Sequence, residues 1–125
     1  MDQWIHVTRA RWPEVLKLAR EFDSPGKFAT LAGYEWHSTA LGDYHLIFPD
    51  LDAELYTPEN LEDLQRFALK RGCIMIPHHP AVRQGRRGAN FARINQKVSP
   101  LLELYSEWGN AEHDRAPYPY IRNTE

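Results

Sequence analysis

The stretch that decides the predicted fold is FATLAGYEWHSTALGDYHLIF, residues 28–48. Its first apolar run, 28–34, is bounded by turn residues and predicts a short buried strand. The second run, 44–48, follows Gly42 and Asp43 and ends at Pro49, which predicts another strand. We expect the two strands to be antiparallel neighbours. Glu35, Trp36 and His37 then lie at the C-terminal end of the first strand.

Working outward from this hairpin, apolar periodicity and turn residues predict the other elements. Before the hairpin, the sequence predicts a helix over 12–22 with Pro13 in its first turn. After the hairpin, it predicts a helix that is capped by Thr57 and ends at Gly72. A strand over 73–76, a polar loop over 81–97 and a strand over 101–105 follow. Short buried strands alternating with helices are typical of an α/β arrangement.

Length and composition predict one globular domain spanning 1–125. The 125 residues are 42% hydrophobic and 26% charged, and the formal net charge is −2. This charge gives no general attraction to nucleic acid or to an anionic membrane. No apolar run approaches the roughly 18 residues of a membrane span, and the N-terminus lacks a signal-peptide pattern, so we expect a cytoplasmic protein. Cys73 lies in an apolar run and is expected to be a buried thiol.

Polar side chains follow the predicted strands at their C-terminal ends. Glu35, the pair His78 and His79, and Ser106 lie where apolar runs end, and Glu103 interrupts the last strand near its end. In α/β sheets and barrels this edge is where sites are built, because the loops there converge. Carboxylates and imidazoles are ligands suited to Zn, Mn or Fe. The sequence therefore predicts one shared divalent-metal site.

Each of these candidates has a plainer interpretation. Glu35 is also compatible with a solvated strand end or a salt-bridge partner. Of His78 and His79, one would be a core histidine and the other exposed, and the sequence does not say which is the ligand. Glu103 lies in an apolar strand, where an unpaired carboxylate is costly, so it is either paired or a ligand.

Further residues carry weaker signals. His45 begins an apolar strand and faces Glu35 across the hairpin, as either a core or a site histidine. Asp43 with His45 has the spacing of a ligand pair, but we discount it because Asp43 belongs to the turn. Arg83, Arg86 and Arg87 lie in one loop and their guanidinium groups match phosphate geometry, although an Arg/Gly loop is also typical of solvated surface.

Taken together, these segments resemble one known superfamily. The stretches that carry the resemblance are Pro25-Gly26-Lys27-Phe28 leading to Gly33-Tyr34-Glu35-Trp36, then Tyr44-His45-Leu46-Ile47-Phe48, Ile76-Pro77-His78-His79-Pro80 and Leu102-Glu103-Leu104-Tyr105-Ser106. They resemble the PHP (polymerase and histidinol phosphatase-like) superfamily of metal-dependent phosphoesterases, and within it the uncharacterised branch called domain of unknown function 3604. The resemblance implies a distorted (β/α)7 TIM-like barrel with a two- or three-metal centre.

Residue by residue, the resemblance implies that Glu35 bridges metal ions and that His78 or His79 is a ligand, with Glu35 and His79 as the catalytic pair. Glu103 is a further ligand, and His45, Ser106, Arg83 and Arg86 contact the substrate. The superfamily's opening His-x-His motif does not occur before Trp12, and its closing Asp-x-His motif does not occur after the last predicted strand. We therefore expect a partial barrel, truncated at both ends, that binds metal weakly, turns over slowly or not at all, and self-associates through open sheet edges.

The activity that this resemblance implies is hydrolysis of a small-molecule phosphate ester by metal-activated water. Two alternatives stay open. Metal barrels of similar layout also hydrolyse amides or lactones, so the chain is also compatible with an amidohydrolase-like enzyme. A non-catalytic domain that packs against a partner is the third interpretation.

Overall fold

Two helices and two small antiparallel sheets form the fold in the computed structural model, which describes residues 3–110, 112, 113 and 115. The elements in chain order are α1 (Gln3–Phe22), β1 (Gly33–Trp36), β2 (Asp43–Ile47), α2 (Leu61–Arg71), β3 (Ile74–His78), a one-turn 3-10 helix (Phe91–Arg93), β4 (Tyr105–Ser106) and β5 (Gly109–Asn110). Within the described residues, neither helix is long and apolar enough to cross a membrane.

The predicted α/β class, a partial (β/α)7 TIM-like barrel, is wrong. The larger sheet has the order β1-β2-β3, and both of its pairings are antiparallel. A barrel of this type needs parallel strands joined by helical crossovers. Here α2 connects β2 to β3, which lie side by side and run in opposite directions. The described chain is therefore a small α+β structure.

Alternation along the three strands gives the sheet one apolar and one polar face. Tyr34, Tyr44 and Met75 lie on the apolar face, and both helices pack there. The buried cluster comprises Trp12, Leu16, Ala32, Tyr34, Trp36, Tyr44, Leu46, Phe48, Ala53, Leu61, Leu64, Ala68, Cys73, Met75, Ala89 and Val98. It includes Cys73, as predicted. The opposite face carries Glu35, which pairs with His45 in register, and Asp43, which pairs with His78.

The first helix begins nine residues before its predicted start at Trp12. It runs from Gln3 and contains Pro13 in its interior rather than in its first turn. An interior proline removes one backbone hydrogen bond, which usually ends a helix. Here the part of α1 before Pro13 also contacts the rest of the chain, because Arg9 Nη2 donates a hydrogen bond to Thr57 Oγ1 at 3.2 Å.

Two predicted strands are wrong over most of their length. The run 28–34 joins the sheet only from Gly33, and Phe28 and Leu31 are 61% and 69% exposed. The run 101–105 contributes only Tyr105 to a strand, and the preceding residues pair with no strand in the described chain. An apolar run predicts a buried strand only where a neighbouring strand covers it. These runs have no such neighbour among the described residues.

The second helix is capped by Asn60 rather than by Thr57. The Asn60 side chain accepts a hydrogen bond from the Asp63 N–H at 2.8 Å, and Gly72 ends the helix in the left-handed conformation, as predicted. We expect Asn60→Ala to lower the free energy of unfolding by about 1 kcal/mol, because it leaves a helix N–H without its partner. Urea denaturation measures this loss. Asn60→Ser, which keeps a capping oxygen, should stay near wild type, and equal losses for both variants would contradict the assignment.

Candidate metal centre

The polar face of the sheet gathers most of the predicted site residues at one end. β1 and β3 run in the same direction because β2 lies antiparallel between them. Their C-terminal ends, with Glu35 and His78, therefore meet the start of β2 at Asp43. The sequence argument placed Glu35 near His78 through parallel strands, whereas the structure does so through two successive antiparallel pairings.

The first group of donors consists of Glu35, His78 and His79, whose ligand atoms lie within 4.8 Å of one another. His78 Nε2 is 3.7 Å from Glu35 Oε1. His79 is only 6% exposed and has a left-handed backbone with φ of 53°. Within the described part of the chain, both His79 Nδ1 and Glu35 Oε1 are buried without a hydrogen-bond partner. Two lone-pair-bearing atoms of the first group thus make no hydrogen bond within the described residues.

The second group shares His78 with the first and adds His45 and Glu103. His78 Nδ1 is hydrogen-bonded to Glu103 Oε2, and His45 Nε2 lies 3.6 Å from the same oxygen. The His45 and His78 rings are 4.2 Å apart between centroids. His78 therefore faces Glu35 with one ring nitrogen and Glu103 with the other, which makes it the side chain common to both groups.

The third group consists of Glu35, His37 and Asp43. His37 Nδ1 lies 3.3 Å from Glu35 Oε1 and 3.6 Å from Asp43 Oδ1. Asp43 is completely buried, and its Oδ2 accepts a 2.6 Å hydrogen bond from Arg87 Nε. In this group a protein cation, Arg87, lies at hydrogen-bond distance from both Asp43 and His37.

Two histidines of the first two groups, His79 and His45, have lowered pKa values and are neutral at pH 7. Burial and the neighbouring His78 lower the pKa of His79 to about 4. The same two causes, burial first, lower the pKa of His45. A neutral imidazole offers a lone pair to a metal ion, whereas an imidazolium does not. Both rings are therefore in the ligand-competent state at neutral pH.

The pKa of the histidine in the third group, His37, is shifted in the opposite direction. The hydrogen bond to Asp43 raises the pKa of His37, while burial opposes it. Burial acts to raise the pKa of Asp43, but His37 and the Arg87 guanidinium outweigh burial and lower it. Arg87 Nη2 is 3.0 Å from His37 Nδ1, closer than Asp43 is. The geometry thus fits a neutral His37 that accepts from Arg87, with Asp43 ionised.

The predicted site residues divide into those within these groups and those outside them. Glu35, His45, His78, His79 and Glu103 lie within the groups. Their metal and catalytic roles stay predictions. Outside the groups, Ser106 lines a small cavity with His79 and Trp108, and Arg83 and Arg86 are exposed on their loop. Substrate binding by these three residues likewise stays a prediction.

The sequence analysis missed two side chains of these groups, His37 and Asp43, and considered Arg87 only as one of three loop arginines that match phosphate. Strand alternation could have found the first two, because His37 lies two residues after Glu35 and Asp43 two residues before His45. Asp43 was set aside because it lies next to a turn, although it is the first residue of β2. Nothing in the sequence separates Arg87 from the two neighbouring arginines of its loop.

A cleft of about 580 Å³ opens beside His37. Its walls are α1, with His6 and Arg9, the residues that follow β1, and the segment 57–59. Small-molecule sites commonly have volumes of roughly 300–1,000 Å³, so this cleft is of suitable size. Through His37 it is continuous with the third donor group.

The donors fit a divalent ion. Ligand atoms about 2 Å from one ion lie within about 4 Å of each other, close to the spacing within each group. The seven candidate ligands (Glu35, His37, Asp43, His45, His78, His79 and Glu103) offer nitrogen and oxygen, a set that suits Zn, Mn or Fe. The fold and the site together define a small α+β protein with a histidine–carboxylate candidate metal centre.

One comparison with known proteins gives a match. A family described as "Protein of unknown function (DUF3604)" matches residues 2–50, which confirms this part of the predicted resemblance. The matched segment covers α1 to β2 and includes Glu35 and His37. No curated protein and no solved structure matches the chain. The wider PHP superfamily stays a prediction, and the barrel that it implies is absent from the described fold.

Proposed function

We propose that this protein is a metal-dependent hydrolase that acts on phosphate esters. The observation that carries the proposal is that two of the five buried side-chain atoms without hydrogen-bond partners in the described chain, Glu35 Oε1 and His79 Nδ1, lie in one donor group. A buried polar atom without a partner costs about 1–3 kcal/mol. A purely structural network would pair such atoms, whereas a metal site requires their lone pairs.

The backbone of His79 supports the same proposal. Its φ of 53° lies in the left-handed region, which is uncommon for residues other than glycine. Strain of this kind collects at functional sites, where the surrounding structure holds it in place. At this position the strain directs a nearly buried imidazole towards Glu35 and His78.

The roles of the chain's own residues follow from their positions. A bound divalent ion would polarise the phosphoryl group and lower the pKa of a water molecule. Glu35 belongs to both the first and the third group and is the residue that they share. His79 and His45 supply neutral imidazoles. Arg87 has further N–H groups that match phosphate oxygens, which favours a phosphate ester over an uncharged substrate. The cleft beside His37 would hold the organic part of the ester.

Hydrolysis of an aryl phosphomonoester and an aryl phosphodiester, with added Mn²⁺ or Zn²⁺, tests this function. We expect Glu35→Gln to lower kcat/KM by about 100-fold or more, because it removes a charge that holds the ions and faces the reacting group. Glu21→Gln, an exposed position on α1, is the matched control and should match wild type.

Two outcomes would contradict the proposal. Equal kcat/KM for Glu35→Gln and wild type would remove Glu35 from the site. No metal-dependent turnover of either ester by a metal-loaded wild-type chain would remove the hydrolase assignment and favour a non-catalytic role.

A further inference from the structure

The third donor group is in contact with a cation that belongs to the protein. Arg87 Nε donates to Asp43 Oδ2 at 2.6 Å. Arg87 Nη2 lies 3.0 Å from His37 Nδ1 and 3.7 Å from Glu35 Oε1. One guanidinium therefore reaches all three members of the third group, whereas of the first group it reaches Glu35, the residue that the two groups share.

The backbone of Arg87 is fixed at this position. Its N–H donates to Thr39 O at 2.8 Å, and its carbonyl accepts from the Asp43 N–H at 3.1 Å. Its φ is 76°, a left-handed value that an arginine rarely adopts. The next residue, Gly88, leaves no room for a Cβ, which would lie 1.8 Å from Val82 O. The loop thus holds the backbone of Arg87 in one place, beside the carboxylate of Asp43.

The guanidinium and a divalent ion would compete for the same atoms. Asp43 is completely buried, and a buried carboxylate requires a partner of opposite charge. A metal ion bound to Asp43 and His37 would lie about 2 Å from their ligand atoms. Arg87 already lies at hydrogen-bond distance from both, so an ion there would meet a like charge at close range.

We propose that Arg87 serves as a built-in cation that excludes a metal ion from the Glu35, His37 and Asp43 group. The metal ions of the centre are then confined to the two groups that share His78. The proposal rests on the metal centre of the proposed function, but it concerns the number of ions bound and not turnover. Loss of the guanidinium should open the third group to one additional ion.

Native mass spectrometry at saturating Mn²⁺ or Zn²⁺ counts the bound ions. We expect Arg87→Met to bind one ion more per chain than wild type, since methionine removes the charge and keeps an unbranched side chain. Arg87→Lys, which keeps a positive charge, should bind the wild-type number. Arg83→Met is the matched control on the exposed part of the same loop and should also bind the wild-type number.

Asp43→Asn provides a measurement that does not depend on the folding of Arg87→Met. If Arg87 excludes metal from this group, Asp43 is not a ligand in the wild-type chain, and Asp43→Asn should bind the wild-type number of ions. Loss of one ion from Asp43→Asn would overturn the proposal, as would equal ion counts for folded Arg87→Met and wild type. A wild-type chain that binds no ion would instead overturn the metal centre itself.

Discussion

His78→Ala is expected to weaken binding of Mn²⁺ or Zn²⁺ by about 100-fold or more, the largest effect of any single ligand replacement. His78 is the histidine common to two donor groups, facing Glu35 through Nε2 and Glu103 through Nδ1. Its removal takes a ligand from the first group. In the second group it also removes the hydrogen-bond partner of the Glu103 carboxylate. Isothermal titration calorimetry at pH 7.5 measures the loss.

Two comparisons make this expectation specific. His45→Ala removes a member of one group only, so we expect a weakening of about 10-fold, smaller than for His78→Ala. His113→Ala changes an exposed histidine outside the groups and should leave the affinity unchanged. Equal affinities for His78→Ala and wild type would show that the ions, if bound, lie elsewhere.

The sequence predicted the local elements of the site better than the fold. The antiparallel pairing of the first two strands was predicted and is confirmed, including the position of His45 opposite Glu35, although β1 is Gly33–Trp36 and not 28–34. The barrel was wrong because a strand, a helix and a strand in succession look alike whether the strands end up parallel or antiparallel. Apolar periodicity reports which face is buried but not the direction of the neighbouring strand. The order β2, α2, β3 therefore fits both arrangements.

For Glu103, the predicted strand is wrong, whereas the predicted need of its carboxylate for a partner agrees with the structure. The apolar run around it predicted a strand, yet residues 101–104 have no strand partner in the described structure, and Leu101 and Leu104 are exposed. The physical argument about the carboxylate itself held: Glu103 needed a partner, and His78 provides one. The cost of burying the Glu103 charge can be inferred from its apolar neighbours in the sequence. The course of the backbone that brings residue 103 next to His78 cannot be inferred in this way.

The metal-free protein is expected to lose stability through His79 as the pH falls from about 6.5 to about 4. An unfolded histidine takes up a proton near pH 6.5. In the folded chain, burial and the neighbouring His78 lower the pKa of His79 to about 4. Between these two values the unfolded state binds more protons, so acid favours unfolding. The contribution is fully present above pH 6.5 and is lost progressively below it, by about 3 kcal/mol once the pH falls below 4.

Comparison with His79→Asn isolates this effect. Asparagine does not titrate and tolerates the left-handed backbone of position 79, so the variant keeps the local conformation. His37 acts with the opposite sign: its raised pKa stabilises the folded state below pH 6.5, and this stability is lost as the pH rises through the folded-state value. That contribution and those of the carboxylates are present in both proteins and cancel in the difference.

Urea denaturation with a chelator at a series of pH values between 7.5 and 4 gives the free energy of unfolding for each protein. Wild type should lose about 3 kcal/mol more than His79→Asn over this range, with most of the difference appearing below pH 6. Saturating metal should reduce the pH dependence of wild type above pH 5, because an ion bound to His79 holds the ring unprotonated. Parallel pH profiles for the two metal-free proteins would mean that His79 is not buried as a neutral ring, and the first donor group would keep only one imidazole, that of His78.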